Sequence, residues 1–247
     1  MTWLFWLPVN VVQGIFAAFW TAFSISMALI VRLLTGSARP GLRMARWLWA
    51  PPIVRVLGLR VEIAGLEHLD PERSCFIAIN HQSILDALVL FFSIPVELAF
   101  VVRSDLMGVP FFGWYVRAMG MTILDRDHQL RGLAAMRRTT TRLADGRSVI
   151  LFPEGTRSRD GRVGAFKPGA FVPAIEAGVP VVPAAMDGPG RLLPAGTLKA
   201  RPGTVRIVLG EAIETEGLEV GDRRDLSRQV RDRVLELHEH LVGLSAP

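Results

Sequence analysis

Polar and apolar positions divide the chain into two unlike stretches. From Met1 to Val31 no side chain carries a formal charge. Val9–Leu34 is long enough, as a helix rising about 1.5 Å per residue, to cross a hydrocarbon core of roughly 30 Å. Pro8, Asn10, Gln13, Gly14, Thr21, Ser24 and Ser26 interrupt the run. A second apolar segment, Met44–Leu59, is broken by Pro51-Pro52 and edged by Arg43, Arg46, Arg55 and Arg60, with Trp47 and Trp49 as interface anchors. The pattern leaves two geometries open: a single span, or two helices linked near Gly36–Gly41 that dip into one leaflet and return. A buried core helix is a third. A secretory signal fits poorly, because no positive charge precedes the apolar run and no small-residue cleavage site closes it.

From Leu59 onward the pattern alternates. Short apolar runs rich in β-branched residues predict strands at Leu59–Ala64, Cys75–Asn80, Glu97–Arg103, Met121–Asp125, Ser148–Pro153, Val179–Ala185 and Val205–Leu209. Helices are predicted between and after them. Ser83–Phe92 begins at an N-cap candidate, Ser83. Leu130–Ala144 carries Leu130, Leu133, Met136, Thr140 and Leu143 at helical spacing and stops at Gly146. Lys167–Ala177 stops at Gly178, and Arg223–Leu241 sets Leu226, Val230, Leu237 and Leu241 on one stripe. His238-Glu239-His240 on that last helix reads as a solvated face. Strands alternating with helices predict an α/β fold with a mainly parallel sheet of about seven strands flanked by helices. An apolar N-terminal helical membrane-binding segment precedes it. The boundary falls at 1–57 for the anchor and 58–247 for the globular domain.

Composition agrees with that division. Half of the 247 residues are apolar and 21% are charged, too apolar for an average soluble enzyme and far from a disordered chain. Residues 1–60 hold six arginines and no acid, whereas 22 basic and 23 acidic residues share the remainder. The positive excess thus sits beside the apolar sequence, which points to anionic lipid surfaces. Nucleic acid is the weaker reading and is not expected as a partner, since no zinc knuckle or basic helix repeat is present. The one cysteine, Cys75, rules out an intrachain disulfide framework and a cysteine-based zinc site.

Two constellations carry candidate chemistry. In Cys75–Asp86, an apolar strand runs into Asn80-His81 and a helix starts near Ser83. His81 and Asp86 would stand about 140° apart on one helix. They pair only if His81 sits in the loop and Asp86 in the first helical turn. Asp86 would then fix the imidazole tautomer, and the other ring nitrogen would take a proton from a hydroxyl. Ser83, two residues from that base, is poorly placed as a nucleophile. In Ile150–Ser158, a strand ends at Pro153 and Glu154, Gly155, Thr156 and Arg157 form a polar turn, with Lys167 following. Gly155 lets backbone N–H groups face a ligand, Arg157 offers a fork for phosphate, and Glu154 holds a hydroxyl or orients Arg157. Asn80-His81, Arg103, Arg126 and Glu154–Arg157 all follow predicted strands, the edge where parallel sheets bind ligands. Their convergence suggests an anionic substrate with a reactive hydroxyl.

Asn-His-Gln-Ser-Ile-Leu-Asp resembles the N-H-x4-D motif of the glycerolipid acyltransferases, and Phe-Pro-Glu-Gly-Thr-Arg-Ser resembles their F-P-E-G-T-R-S motif. Ile123–Arg126, Pro110–Trp114 and the Val-Val-Pro-Ala run resemble their other blocks, in the family's order, over roughly Leu59–Leu209. Chain size and the apolar N-terminus are similar to those of bacterial 1-acyl-sn-glycerol-3-phosphate acyltransferases. The resemblance implies acyl transfer from acyl-CoA or acyl-carrier protein to the sn-2 hydroxyl of a lysophosphatidate, giving phosphatidate. It implies His81 as general base, assisted by Asp86, in a single displacement without metal or cofactor. Arg126, Glu154, Gly155, Thr156 and Arg157 would hold the glycerol phosphate, with Arg103, Lys167 and Asn80 as further substrate contacts. Arg103 departs from the family, many of whose members carry Lys there. Alternatives are another lysolipid acceptor, such as a lyso-ornithine lipid, and a lipid carrier without turnover. The expected location is the cytoplasmic face of the cell membrane.

Overall fold

A computed structural model describes residues 2–125 and 129–245. Seven strands form one sheet: β1 (Leu59–Ala64), β2 (Phe76–Ile79), β3 (Leu98–Arg103), β4 (Thr122–Leu124), β5 (Ser148–Leu151), β6 (Val181–Asp187) and β7 (Gly203–Leu209), in the order β1-β7-β6-β2-β5-β3-β4. Neighbours pair parallel except β6 and β7, which are antiparallel. The sheet is therefore mainly parallel, as expected. The C-terminal ends of β2, β3, β4 and β5 share one edge.

Alternation along the strands feeds a core on each face. On β2, Ile77 and Ile79 join one cluster and Phe76 and Ala78 the other. All four are fully buried, which explains why the strand reads as a continuous apolar run. The first face is covered by α4 (Leu85–Ser93) and α5 (Phe112–Ala118) together with the N-terminal helices. The second is covered by α6 (Gln129–Ala144), α7 (Val172–Ala177) and α9 (Arg223–Ser245). A short α8 (Pro189–Leu192) follows β6.

The N-terminal stretch is helical apart from a bend at residues 36–38: α1 (Thr2–Thr35), α2 (Arg39–Met44), a π-helical turn at Ala45–Trp49, and α3 (Ala50–Val56). By length and composition α1 is apolar enough to cross a membrane. Its polar residues lie on the side that packs against the protein. Asn10 Nδ2 donates to the Ala200 carbonyl (2.9 Å) and Gln13 Nε2 to the Val56 carbonyl (2.9 Å). Thr21 accepts from Trp49 Nε1 (2.9 Å), and Ser24 is buried. The opposite side exposes Val11, Val12, Ile15, Phe19, Phe23, Ile30, Leu33 and Leu34. Ile25, Ala28, Leu42, Ile53 and Val54 enter the same core as Ile77 and Leu88.

Candidate active site

β2 delivers the chain to the edge shared by the C-terminal ends of β2, β3, β4 and β5, and α4 takes it away, with residues 80–84 as the connecting loop. Asp86, in the first turn of α4, is completely buried. Its Oδ2 lies 2.7 Å from His81 Nδ1 and accepts the N–H groups of Gln82 (2.7 Å) and Ser83 (3.0 Å). One carboxylate thus folds the loop and orients the ring. In the neutral imidazole with Nδ1 donating to Asp86, Nε2 is the acceptor nitrogen, and it has no hydrogen-bond partner among the described residues. The ring stacks on Phe152 at 4.0 Å between centroids, and the side chain is 23% exposed.

The turn after β5 closes the other side. Glu154 Oε1 accepts the His81 N–H (2.9 Å) and Oε2 accepts the Gly164 N–H (2.9 Å); the His81 carbonyl accepts the Ser158 N–H (2.7 Å). Glu154 is buried, and desolvation pushes its carboxyl above the ordinary value against the pull of those two N–H groups. It was expected to touch substrate or orient Arg157. Instead both of its oxygens bolt two loops together, so it fixes the backbone of His81. Gly164 has to lack a side chain, because a Cβ there would lie 2.8 Å from Glu154 Oε2.

Asn80 also differs from expectation. Its amide exchanges two bonds with the Met186 backbone (Nδ2 to O, 2.9 Å; N to Oδ1, 2.8 Å) and it is 1% exposed, so it joins β2 to β6 rather than facing a ligand. Ser83 is not the N-cap of α4, a position held by Ile84. The Ser83 hydroxyl donates to the Leu193 carbonyl (2.7 Å) and is buried, so it is unavailable as a nucleophile.

Gly155, Thr156, Arg157 and Lys167 are brought together. Gly155 adopts φ +73°, in the left-handed region, and Lys167 Nζ would lie 2.9 Å from a Cβ built on it. Arg157 and Lys167 are exposed, and neither has a side-chain hydrogen bond or ion pair among the described residues. Arg103 reaches the same sheet edge but forms a bidentate pair with Asp105 (3.0 and 2.8 Å). Arg126 lies outside the described residues.

Sequence reasoning missed three contributors, Gln82, His238 and Arg231. Gln82 donates through Nε2 to the Met186 carbonyl (3.1 Å) and His238 Nε2 (3.4 Å), while its Oε1 accepts the Gly190 N–H (3.3 Å). His238 is buried, not solvated, because α9 lays it against this loop. A signal existed: Leu226, Val230, Val234 and His238 recur every four residues. Arg231 Nε, from the same helix, holds the Gly164 carbonyl (2.9 Å).

The acyltransferase family model matches residues 60–187, which contain both motifs. The chloroplastic 1-acyl-sn-glycerol-3-phosphate acyltransferase of Brassica napus is 34% identical over 72% of this chain and 50% of its own length. The 1-acyl-sn-glycerol-3-phosphate acyltransferase of Pseudomonas aeruginosa is 36% identical over 66% of this chain and 62% of its own. The chain thus spans about half to three fifths of the length of these relatives. The crystal structure of the 1-acyl-sn-glycerophosphate acyltransferase of Thermotoga maritima superposes with a TM-score of 0.84 at 25% identity, covering 100% of this chain and 99% of that one.

Proposed function

The chain belongs to the acyltransferase family, and from that premise we propose that it acylates the sn-2 hydroxyl of a 1-acyl-sn-glycerol 3-phosphate, using the thioester of acyl-CoA or acyl-carrier protein. The observation that carries the reading is the 2.7 Å contact between His81 Nδ1 and a fully buried Asp86, in a loop tied to the turn that presents Arg157. Nε2 takes the hydroxyl proton as the oxygen attacks the thioester carbonyl carbon. Asp86 stabilises the imidazolium as it forms. The tetrahedral intermediate collapses, the C–S bond breaks, and the thiolate takes the proton from His81. Because a thiolate leaves readily, no acyl-enzyme is required. Arg157 and Lys167 bind the substrate phosphate, with Gly155 keeping the turn open.

The exposed apolar side of α1 rests in the outer part of a bilayer. Its other side stays on the protein through Asn10, Gln13 and Trp49.

The test is thiol release from palmitoyl-CoA by the full chain in detergent, with lysophosphatidate, lysophosphatidylglycerol or lyso-ornithine lipid as acceptor. Lysophosphatidate should be preferred. Arg157→Ala should raise its KM by about 10–150-fold, since a charge-assisted bond to a non-reacting phosphate is worth roughly 1.5–3 kcal/mol, and leave the KM for acyl-CoA largely unchanged. Equal activity on a phosphate-free acceptor would replace this reading with another lysolipid, and equal KM changes for both substrates would make Arg157 structural.

A further inference from the structure

On the edge of the sheet opposite His81 lies a cavity of about 360 Å³ lined by four arginines. Arg32 comes from the last turn of α1, Arg117 from the last turn of α5, and Arg142 from the last turn of α6. Arg147 precedes β5, whose far end leads to Glu154 and Arg157. The length of that strand therefore separates this cavity from the catalytic edge. Among the described residues no acidic side chain lines it; Asp145, between Arg142 and Arg147 in sequence, is exposed and lies outside the lining.

The arginines are poorly satisfied where they stand. Each guanidinium carries five N–H donors. Arg32 Nε donates to the Ala118 carbonyl at 3.3 Å and Arg117 Nη1 to the Gly113 carbonyl at 3.4 Å, both long bonds. Arg147 Nε is buried with no acceptor among the described residues. Arg142 lies against Gly120, where a Cβ would stand 2.7 Å from Nη2 and where φ is +67°. A glycine at that position both makes the turn and leaves room for the guanidinium.

Three helix C-termini meet here, and each carries at most about half a negative charge. They explain why arginines collect, but they leave the cavity strongly positive and most donors unfilled. A tetrahedral oxyanion is the chemistry that matches several convergent guanidinium forks. A second feature adjoins it in sequence: Leu33 and Leu34, which follow Arg32 at the end of the exposed stripe of α1, are 83% and 78% exposed.

We propose that Arg32, Arg117, Arg142 and Arg147 form a phosphate-binding site, separate from the catalytic site, that accepts the phosphate group of an anionic lipid or of a soluble phosphate compound. A lipid phosphate held here would lie next to the apolar side of α1, with its chains along Leu33 and Leu34. The site would then make the protein's hold on a membrane depend on how much phosphate-bearing lipid that membrane contains.

The test uses the full chain carrying Arg157→Gln, so that phosphate binding at the catalytic edge is already weakened. In one arm, labelled inorganic phosphate and diphosphate are titrated by equilibrium dialysis in neutral detergent. In the other, binding to phosphatidylcholine vesicles with and without phosphatidate is measured by flotation. Adding Arg142→Gln and Arg147→Gln should weaken the responding arm by about tenfold or more. The single exposed substitution Arg117→Gln should produce a smaller loss in the same arm and guards against misfolding of the double variant. Loss confined to vesicles containing phosphatidate identifies a lipid phosphate; loss in dialysis alone identifies a soluble one. Unchanged binding in both arms for Arg117→Gln and for a folded double variant would overturn the proposal. Because Arg142 and Arg147 have no part in acyl transfer, their variants on the Arg157 parent chain should keep the acyltransferase activity seen without phosphatidate, which separates this result from a failure of the catalytic reading.

Discussion

The proposed acyl transfer needs a histidine whose ring is held and aimed, and the surroundings of His81 hold it on several sides. Asp86 holds Nδ1, Phe152 covers the ring face, and Glu154 and Ser158 hold its backbone N–H and carbonyl. His81→Ala should lower kcat by roughly 10²–10⁴. Asp86→Asn should lower it as well by disturbing tautomer and orientation, and the double variant should be little worse than His81→Ala, because the two act as a unit. Ser83→Ala should cost about 1–3 kcal/mol of stability for its lost buried bond and leave the chemical step largely intact. A dead serine variant beside an active histidine variant would reverse the assignment. His238 works at one remove. Desolvation holds its imidazole below the ordinary value; Asp187 and Glu239 pull it up and Arg191 pushes it down. Its Nε2 has to accept from Gln82, whose amide is locked by Met186 and Gly190. The unfolded chain therefore takes up the proton first as pH falls. The stability this residue contributes is fully present above about 6.5 and is lost as pH drops through the lower folded value. The thermal midpoint of the wild-type protein should fall more steeply below pH 6.5 than that of His238→Asn, which keeps an acceptor but does not titrate. Equal slopes would show that His238 is not the group responsible.

Among the elements, the loop after β2 and the turn after β5 form one unit because Glu154 accepts a backbone N–H from each side. Glu154→Gln replaces one acceptor oxygen with an amide NH₂, so one of those N–H groups loses its partner at a cost of about 1–3 kcal/mol. Thermal unfolding of the full chain in detergent should show the drop, and an unchanged midpoint would mean that the bolt carries no load. This arrangement also marks where the sequence stopped being informative. All seven strands are legible, the central ones as apolar runs buried on both faces and β1 and β7 as alternating runs at one side of the sheet. The pairing of His81 with Asp86 is legible from loop and helix spacing. That Glu154 and Asn80 bond inward is not, since a polar residue at a strand end looks the same whether it meets a ligand or a neighbouring backbone. Helix α6 is predicted with nearly its full span, yet its buried face is offset. Leu130 is 82% exposed, while Ala135, Thr139 and Leu143 are buried. The helix runs close enough to β4 for Thr139 Oγ1 to bond Thr122 Oγ1 at 3.2 Å, and a close approach selects small residues that a search for large apolar ones passes over.

For the molecule as a whole, the question is how a 34-residue helix sits when one side is apolar and the other is bonded to the protein. A helix of that length extends about 51 Å, well beyond a hydrocarbon core of roughly 30 Å, so length alone favours neither geometry. The hydrogen bonds of α1 favour the flat geometry proposed above. To cross the bilayer alone, α1 would have to leave the Ala200 and Val56 carbonyls, the Trp49 indole and the core around Ile25 and Ala28. Asn10 and Gln13 would then enter hydrocarbon, where an unpartnered amide costs several kcal/mol. Lying flat keeps every one of these contacts and buries only the stripe from Val11 to Leu34. Cys75 is buried, so a cysteine introduced on that stripe is labelled selectively. Spin labels at Val12→Cys, Phe19→Cys and Ile30→Cys, in the full chain on vesicles, should all report a similar shallow depth, about 5–10 Å below the headgroup boundary. A profile deepest at Phe19 and shallow at both other positions is what a spanning helix would give, and it would require α1 to detach from the domain.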